Sequence, residues 1–143
     1  MTIARLIAGR DPCATITCDA SATVREAVTL LAQQRIGALP VLQDGEVAGI
    51  FSERDVLYQL QAHGPAMLDK RVGEVMTAPA VSVTPDTDVI EALSLMTRRR
   101  IRHLPVIDRG RMVGFISIGD LVKQRIDAIE AEAEQMRVYI QTA

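Results

Sequence analysis

The spacing Gly-x-x-Ser-x-x-Asp occurs twice in this chain, at Gly49 to Asp55 and at Gly114 to Asp120. A serine three residues before an aspartate is typical of a helix start, where hydroxyl and carboxylate each satisfy a free backbone N–H. The same groups could bind a nucleotide: a helix N-terminus attracts phosphate, and a carboxylate accepts the hydrogen bonds of a ribose diol. The serine hydroxyl can donate to phosphate, and the glycine would let a ligand approach the backbone closely. The candidate binding residues of this motif are Ser52, Asp55, Ser117 and Asp120.

The two copies differ in charge near the motif. The second copy has Arg102-His103 where the first has the uncharged pair Gly37-Ala38. Arg54 adds a cation beside the first motif, at the position that Gly119 takes in the second. A phosphate needs cationic donors, so we expect two unequal sites. The sequence alone leaves open which of the two Arg102 serves.

A basic run precedes this pair, at Arg98 to Arg100. Three interpretations remain open at this stage. The run could be the solvated end of a helix, where cations are well placed, or it could lie near a polyphosphate. Nucleic-acid contact is the least favoured, because no aromatic side chains lie nearby to stack on bases.

These motifs belong to a tandem duplication. Shifted by 65 positions, residues 17–56 align with residues 82–121 without a gap, and thirteen of the forty pairs are identical. In the first copy the identical positions are Val24, Glu26, Ala27, Leu30, Arg35, Ile36, Leu39, Pro40, Val41, Gly45, Gly49, Ser52 and Asp55. A duplicated unit predicts a site where the two copies meet, with two-fold pseudo-symmetry.

Each copy predicts the elements β-α-β-β-α. Short strands are expected at Thr15 to Cys18 and at Ala80 to Val83. Each is followed by an amphipathic helix with a capping box, Thr23 with Glu26 and Asp88 with Glu91. A Gly-containing turn between two apolar runs then predicts a hairpin, and the Ser-x-x-Asp motif opens a second helix.

One copy alone is near the lower size limit for independent folding, so we expect an α+β fold with the two repeats packed sheet to sheet. The predicted division is residues 1–66 and 67–143. A helix over about 121–141 follows the second repeat, because no Gly or Pro interrupts it and apolar residues recur at heptad-like spacing. This stripe either folds back over its own domain or makes a dimer contact. Its members are Val122, Ile126, Ile129, Ala133, Met136 and Ile140.

Bulk composition limits the classes of function. The net charge of −2 gives no global attraction to nucleic acid or to an anionic membrane. The N-terminus is too short and polar for a signal peptide, no apolar run approaches the length of a membrane span, and two cysteines spaced C-x4-C favour reduced thiols. We therefore expect a cytoplasmic protein. Neither a nucleophile–base pair, nor a metal-ligand cluster, nor a Gly-rich phosphate loop is evident, so neither catalytic nor metal-binding residues are predicted.

The doubled order of motifs resembles the cystathionine-β-synthase (CBS) domain pair, or Bateman module. The resemblance is carried by Arg35 to Val41 with Gly49 to Asp55, and by Arg100 to Val106 with Gly114 to Asp120. Val72 to Thr77 is similar to the entry segment of such a domain, which adds Thr77 to the candidate site residues. Each motif is short, but their repeated order covers nearly the whole chain.

The resemblance implies a compact module, usually dimeric, whose clefts bind AMP, ADP, ATP, NAD or S-adenosylmethionine. Asp55 and Asp120 would take ribose hydroxyls, and Ser52 and Ser117 would line the ribose–phosphate region. Ile16 and Val81 would pack on adenine. The pairs Gly37-Ala38 and Arg102-His103 would border the ligand.

Two functions from different classes follow. The favoured one is a non-catalytic adenosine-nucleotide sensor that holds no tightly bound cofactor and signals, as a homodimer, to a protein partner that the sequence does not identify. The alternative is a structural or interaction module with empty clefts that acts through its C-terminal helix. Membrane and nucleic-acid partners are not expected.

Overall fold

The computed structural model describes residues 1–142 and contains the two predicted repeats. The first repeat comprises β1 (Cys18–Asp19), α2 (Val24–Gln34), β2 (Ala38–Gln43), β3 (Glu46–Ser52) and α3 (Glu53–His63). The second comprises α5 (Val89–Arg99), β4 (His103–Asp108), β5 (Arg111–Ser117) and α6 (Ile118–Thr142). Two short helices, α1 (Ile3–Ile7) and α4 (Val72–Val75), precede the repeats, and 3-10 turns lie at Pro12–Ala14 and Gly64–Asp69.

The helix boundaries follow from local chemistry. Thr23 and Glu26 form the predicted capping box at the start of α2. Asp88 caps α5 by accepting from the Ile90 N–H. Helices α2 and α5 end at equivalent arginines, Arg35 and Arg100, which take the left-handed conformation with φ near 53° and 54°. The left-handed residue turns the chain sharply into the next strand.

The hairpin of each repeat brings the end of its first helix next to the start of its second. Strands β2 and β3 are antiparallel and pair Ala38 with Ser52. Strands β4 and β5 repeat this register and pair His103 with Ser117. Both turns have two consecutive residues with positive φ, Asp44-Gly45 and Arg109-Gly110, as a type I′ hairpin turn requires. The register therefore places the residues before Leu-Pro-Val directly beside the Ser-x-x-Asp motif.

The predicted first strands are shorter than expected. In the first repeat only Cys18–Asp19 pairs, parallel to β2, because the preceding residues turn through Pro12–Ala14. In the second repeat only Val83 pairs, in an isolated bridge with Val106. Pro79 and Pro85 bracket that segment and lack the N–H groups a strand needs. Ile16 and Val81 therefore lie in extended chain outside the strands.

Two apolar cores form, and the segment preceding each repeat packs on the other repeat. Ile3 of α1 is fully buried in the core of the second repeat. Met67, Val72 and Val75 are buried in the core of the first. The predicted division at residue 66 therefore does not coincide with the division of the cores, since α1 and α4 cross over. This exchange holds the two repeats together.

Helix α6 carries the predicted stripe on an uncovered face. Leu121 is fully buried at its start, but its later apolar residues remain exposed, so the helix does not fold back over its own domain. The exposed members are Val122, Ile126, Ile129, Met136 and Ile140. Within residues 1–142, neither α6 nor any other helix combines the length and the apolar character that a bilayer span demands.

Candidate ligand clefts between the repeats

Two clefts lie between the repeats and are related by the pseudo-symmetry of the duplication. The Asp55 cleft encloses about 360 Å³ and is lined by Gly37, Ala38, Ile50, Ser52, Arg54, Asp55, Tyr58, Thr77, Arg99, Arg100, Ile101, Arg102 and His103. The Asp120 cleft encloses about 270 Å³ and is lined by Ala14, Thr15, Ile16, Ile36, Ala38, His103, Phe115, Ser117 and Asp120. Each cleft takes residues from both repeats.

Asp55 is held at the wall of its cleft by three donors. The backbone N–H and the hydroxyl of Ser52 both donate to its Oδ2, at 2.8 and 3.2 Å. The Thr77 hydroxyl donates to its Oδ1 at 2.9 Å. The residue is only 9 % exposed, and these hydrogen bonds give the carboxylate a defined orientation.

Asp120 is held differently. Its Oδ2 accepts from the Ser117 N–H at 2.9 Å, and its own N–H donates to the Ser117 hydroxyl at 3.2 Å, which completes a capping box. The Arg10 guanidinium lies 3.3 Å from its Oδ1 and 3.5 Å from its Oδ2. Burial would raise the pKa of Asp120, but the Ser117 hydrogen bonds and the Arg10 charge outweigh burial and lower it. The carboxylate is therefore ionised and already has a cationic partner.

The clefts differ most in charge. Four arginines line the Asp55 cleft: Arg54, Arg99, Arg100 and Arg102. The Asp120 cleft has neither Arg nor Lys among its lining residues. Arg54, from the first repeat, donates to the carbonyl oxygen of Arg100, from the second, at 2.6 Å. Arg102, whose placement the sequence left open, lies in the Asp55 cleft.

His103 is shared by the two clefts. Its imidazole stacks on the Phe115 ring with 5.5 Å between centroids. Burial lowers its pKa, Arg102 lowers it further, and Glu53 and Asp120 act in the opposite direction. The net effect favours the neutral imidazole. Ala38, at the equivalent position in the first repeat, also borders both clefts.

Eleven of the twelve predicted site residues line a cleft. Residues in the Asp55 cleft are Gly37, Ala38, Ser52, Arg54, Asp55, Thr77, Arg102 and His103; those in the Asp120 cleft are Ile16, Ala38, His103, Ser117 and Asp120. Val81 is the exception, because it packs on the core of the second repeat.

Sequence reasoning missed Ile50 and Tyr58 of the Asp55 cleft and Phe115 of the Asp120 cleft. Tyr58 could have been found, since it follows Asp55 by three residues on α3 and so shares its face. Ile50 and Phe115 occupy equivalent positions one residue after Gly49 and Gly114.

The two motif glycines line neither cleft, contrary to the prediction that they let a ligand approach the backbone. A Cβ at Gly49 would lie 2.6 Å from the Thr77 carbonyl oxygen, and one at Gly114 would lie 3.1 Å from Ile7. Thr77 approaches because its N–H and carbonyl pair with those of Ile50, both at 2.9 Å. The glycines are therefore needed for packing of the crossed-over segments.

Within the described part of the chain no group of three His, Cys, Asp or Glu side chains could hold a metal ion. Cys13 and Cys18 are free thiols. Burial, with a smaller effect of the adjacent Asp19, raises the pKa of Cys18 to about 11, so this thiol is a poor nucleophile.

Comparison with known proteins agrees with this architecture. The family model for the CBS domain matches the chain twice, over residues 10–62 and 72–127. The chain therefore belongs to the CBS-domain family and contains a CBS pair.

Individual proteins of known sequence or structure are similar to most of this chain. The mitochondrial CBS domain-containing protein CBSX3 of Arabidopsis thaliana is 40% identical over 129 residues, which cover 87% of this chain and 63% of the plant protein. A solved CBS-domain protein from Burkholderia ambifaria superposes with a TM-score of 0.81 at 37% identity, covering 89% of this chain and 95% of that one. The structure of CBSX2 in complex with AMP superposes with a TM-score of 0.75 at 26% identity, covering 89% of this chain and 97% of that one.

Proposed function

We propose that this chain is a non-catalytic regulatory module that binds an adenosine-containing ligand in the clefts between its repeats. The observation that carries the proposal is Asp55, an oriented carboxylate on a cleft wall made by both repeats. A carboxylate offers about four lone-pair sites, and Asp55 uses three for Ser52 and Thr77. One remains for a ribose hydroxyl. The AMP complex of the CBSX2 relative supports this class of ligand.

The rest of the Asp55 cleft suits the other parts of such a ligand. Ile50, Tyr58 and Ile101 supply apolar surface for a purine, and the arginines supply donors for phosphate. A cavity of about 360 Å³ is within the usual range for small-molecule sites. AMP, ADP, ATP, NAD and S-adenosylmethionine all fall within the proposed class, and no tightly bound cofactor is needed.

Regulation would follow from the shared walls of the clefts. Because each cleft takes residues from both repeats, a ligand can bind one relative arrangement of the repeats more tightly than another. It shifts the equilibrium by that difference in affinity. A protein partner, or a second copy of the chain, would then respond to the altered arrangement.

Calorimetric titration with AMP, ATP, NAD and S-adenosylmethionine tests the proposal. We expect binding of at least one, and a loss of at least tenfold in affinity in Asp55→Asn. The single amide oxygen has two lone pairs, fewer than the three donors of Ser52 and Thr77 already require, so none is left for a ribose hydroxyl. Asp69→Asn is the matched control, since Asp69 is exposed and pairs only with Arg25 on the surface. The absence of heat and of thermal shift with all four compounds would remove the proposal.

The second candidate function, an interaction module, is favoured by the exposed stripe on α6. The same stripe leads us to propose a homodimer. Ile126→Glu and Ile129→Glu should convert a dimer into a monomer in native mass measurements, whereas Ala131→Glu on the opposite face should not. If these two variants abolish dimerisation and no adenosine compound binds the parent protein, the interaction module becomes the better account.

A further inference from the structure

We propose that the Asp55 cleft selects adenosine ligands that carry a di- or triphosphate over AMP and adenosine, and that the Asp120 cleft does not discriminate in this way. The inference rests on the proposed function, because it names the class of ligand for a site proposed above. The observation behind it is the unequal distribution of cations between two clefts that are related by the duplication.

Unpaired positive charge is concentrated in the Asp55 cleft. None of Arg54, Arg99, Arg100 and Arg102 forms an ion pair with a carboxylate among residues 1–142; the pairs that do occur involve other arginines or the N-terminal amine. Asp55, the acidic residue of the lining, already accepts from Ser52 and Thr77. Glu53 adjoins the cleft wall at Gly37. Four arginine residues thus line one cleft with few acidic groups to offset their charge, an arrangement that an anion of high charge stabilises.

Helix capping is not a sufficient reason for these arginines. Arg98 and Arg99 both lie in the last turn of α5, where the helix dipole favours a cation. Arg98 borders a separate open groove with Ser82 and Thr87, whereas Arg99 lines the Asp55 cleft. Arg54 and Arg102 lie outside α5, so its dipole does not account for them.

One of these cations is held in a fixed position. Arg54 bridges the repeats through the Arg100 carbonyl at 2.6 Å, and its remaining guanidinium N–H groups stay available. A held guanidinium pays less conformational entropy when it binds phosphate. Each further phosphate that gains charge-assisted hydrogen bonds should tighten binding by about tenfold.

The Asp120 cleft lacks these features. Its lining is mainly apolar, with Ile16, Ile36 and Phe115, and its neighbouring cation, Arg10, is engaged by Asp120. Adding phosphates to a ligand there brings charge without new donors. Affinity in this cleft should therefore change little from adenosine to ATP.

Calorimetry with adenosine, AMP, ADP and ATP on the full chain tests the inference. We expect affinity to rise at least tenfold from AMP to ATP, and the gain to shrink as salt is raised. The gain in affinity should persist in Asp120→Asn. It should be lost in Arg102→Gly, which introduces the residue that the first repeat has at the equivalent position. Arg98→Ala removes the same charge outside the cleft and should retain the gain.

The outcomes separate the two proposals. The polyphosphate inference is overturned, while the proposed function stands, if adenosine compounds bind but the affinity for ATP is no higher than that for AMP. The same holds if Arg98→Ala lowers the affinity for ATP as much as Arg102→Gly does. If none of these four compounds binds, and NAD and S-adenosylmethionine do not bind either, the proposed function itself fails. Arg54→Gly, which copies Gly119 of the second repeat, provides a second reading should Arg102→Gly unfold, as circular dichroism would show.

Discussion

The Asp55 and Asp120 clefts are built from the same motif. Each aspartate contacts the serine of its own motif and one further residue, and that further residue differs in chemical type between the two clefts. Asp55 accepts from the neutral hydroxyl of Thr77, on the segment that enters the second repeat. Asp120 faces the charged guanidinium of Arg10, on the segment that enters the first. Duplication preserved the local cap, whereas the crossed-over segments, which lie outside the aligned forty residues, diverged. The two aspartates therefore owe their different second partners to residues beyond the aligned copies.

The largest expected difference between the two halves is at the motif glycines. Gly49→Ala should lower the free energy of unfolding by about 3 kcal/mol, because its Cβ would meet the Thr77 carbonyl at 2.6 Å and that backbone is held by Ile50. Gly114→Ala should cost about 1 kcal/mol, because the Ile7 side chain at 3.1 Å can move. Urea denaturation measures both. Equal costs would show that the two entry segments pack equally tightly.

The second-largest difference is expected in the stability that each aspartate contributes. Asp55→Ala removes the acceptor of three donors in a buried place and should cost about 2 kcal/mol. Asp120→Ala loses a helix cap and a half-exposed ion pair, and should cost about 1 kcal/mol. Thermal unfolding of the two variants, with Thr77→Val to isolate one of the three donors, provides the measurement. A greater loss at Asp120 would contradict the comparison.

The third difference is a dependence of stability on pH near neutrality that His103, in the second repeat, contributes. Folding lowers the pKa of His103 from its ordinary 6.5, so the unfolded chain binds more protons than the folded one below that pH. Its contribution to stability is thus fully present above pH 6.5 and is lost as the pH falls toward the folded-state pKa. Folding also lowers the pKa of Asp120 from its ordinary 3.8, so its contribution to stability is fully present above that pH and is lost only at more acid pH.

Stability measured between pH 7.5 and 5 should therefore fall less steeply in His103→Asn than in the parent protein. His63→Asn, at the exposed end of α3, is the control for losing a histidine. An unchanged slope in His103→Asn would show that the imidazole is not held neutral between the clefts.

The smallest expected effect is that of Arg10→Ala. Exposed ion pairs contribute at most about 1 kcal/mol, so stability should change by less than this. Release of Asp120 from Arg10 should raise the affinity of that cleft for adenosine by up to about fivefold. Titration with adenosine in an Asp55→Asn background measures this affinity. Weaker binding would mean that Arg10 contacts the ligand.

Much of this arrangement could be predicted without coordinates. The duplication, the hairpins, the helix starts and the cleft positions of Ser52, Asp55, Ser117 and Asp120 all depend on local spacing and on symmetry. The errors have local causes too: prolines shortened the first strands, and Val81 packed into a core. The role of the motif glycines was predicted wrongly because the segments that approach them are distant in sequence.

The residue order alone establishes a duplicated β-α-β-β-α unit with a capping carboxylate at the start of each second helix, because caps, turns and periodicity act over a few neighbouring positions. Folding in three dimensions settled the rest: that α1 and α4 exchange repeats, that Arg102 joins Asp55 rather than Asp120, and that Thr77 and Arg10 become the respective partners of the two aspartates. Those pairings join residues 22 to 110 positions apart. They depend on how two apolar cores pack against each other, which no short stretch of sequence encodes.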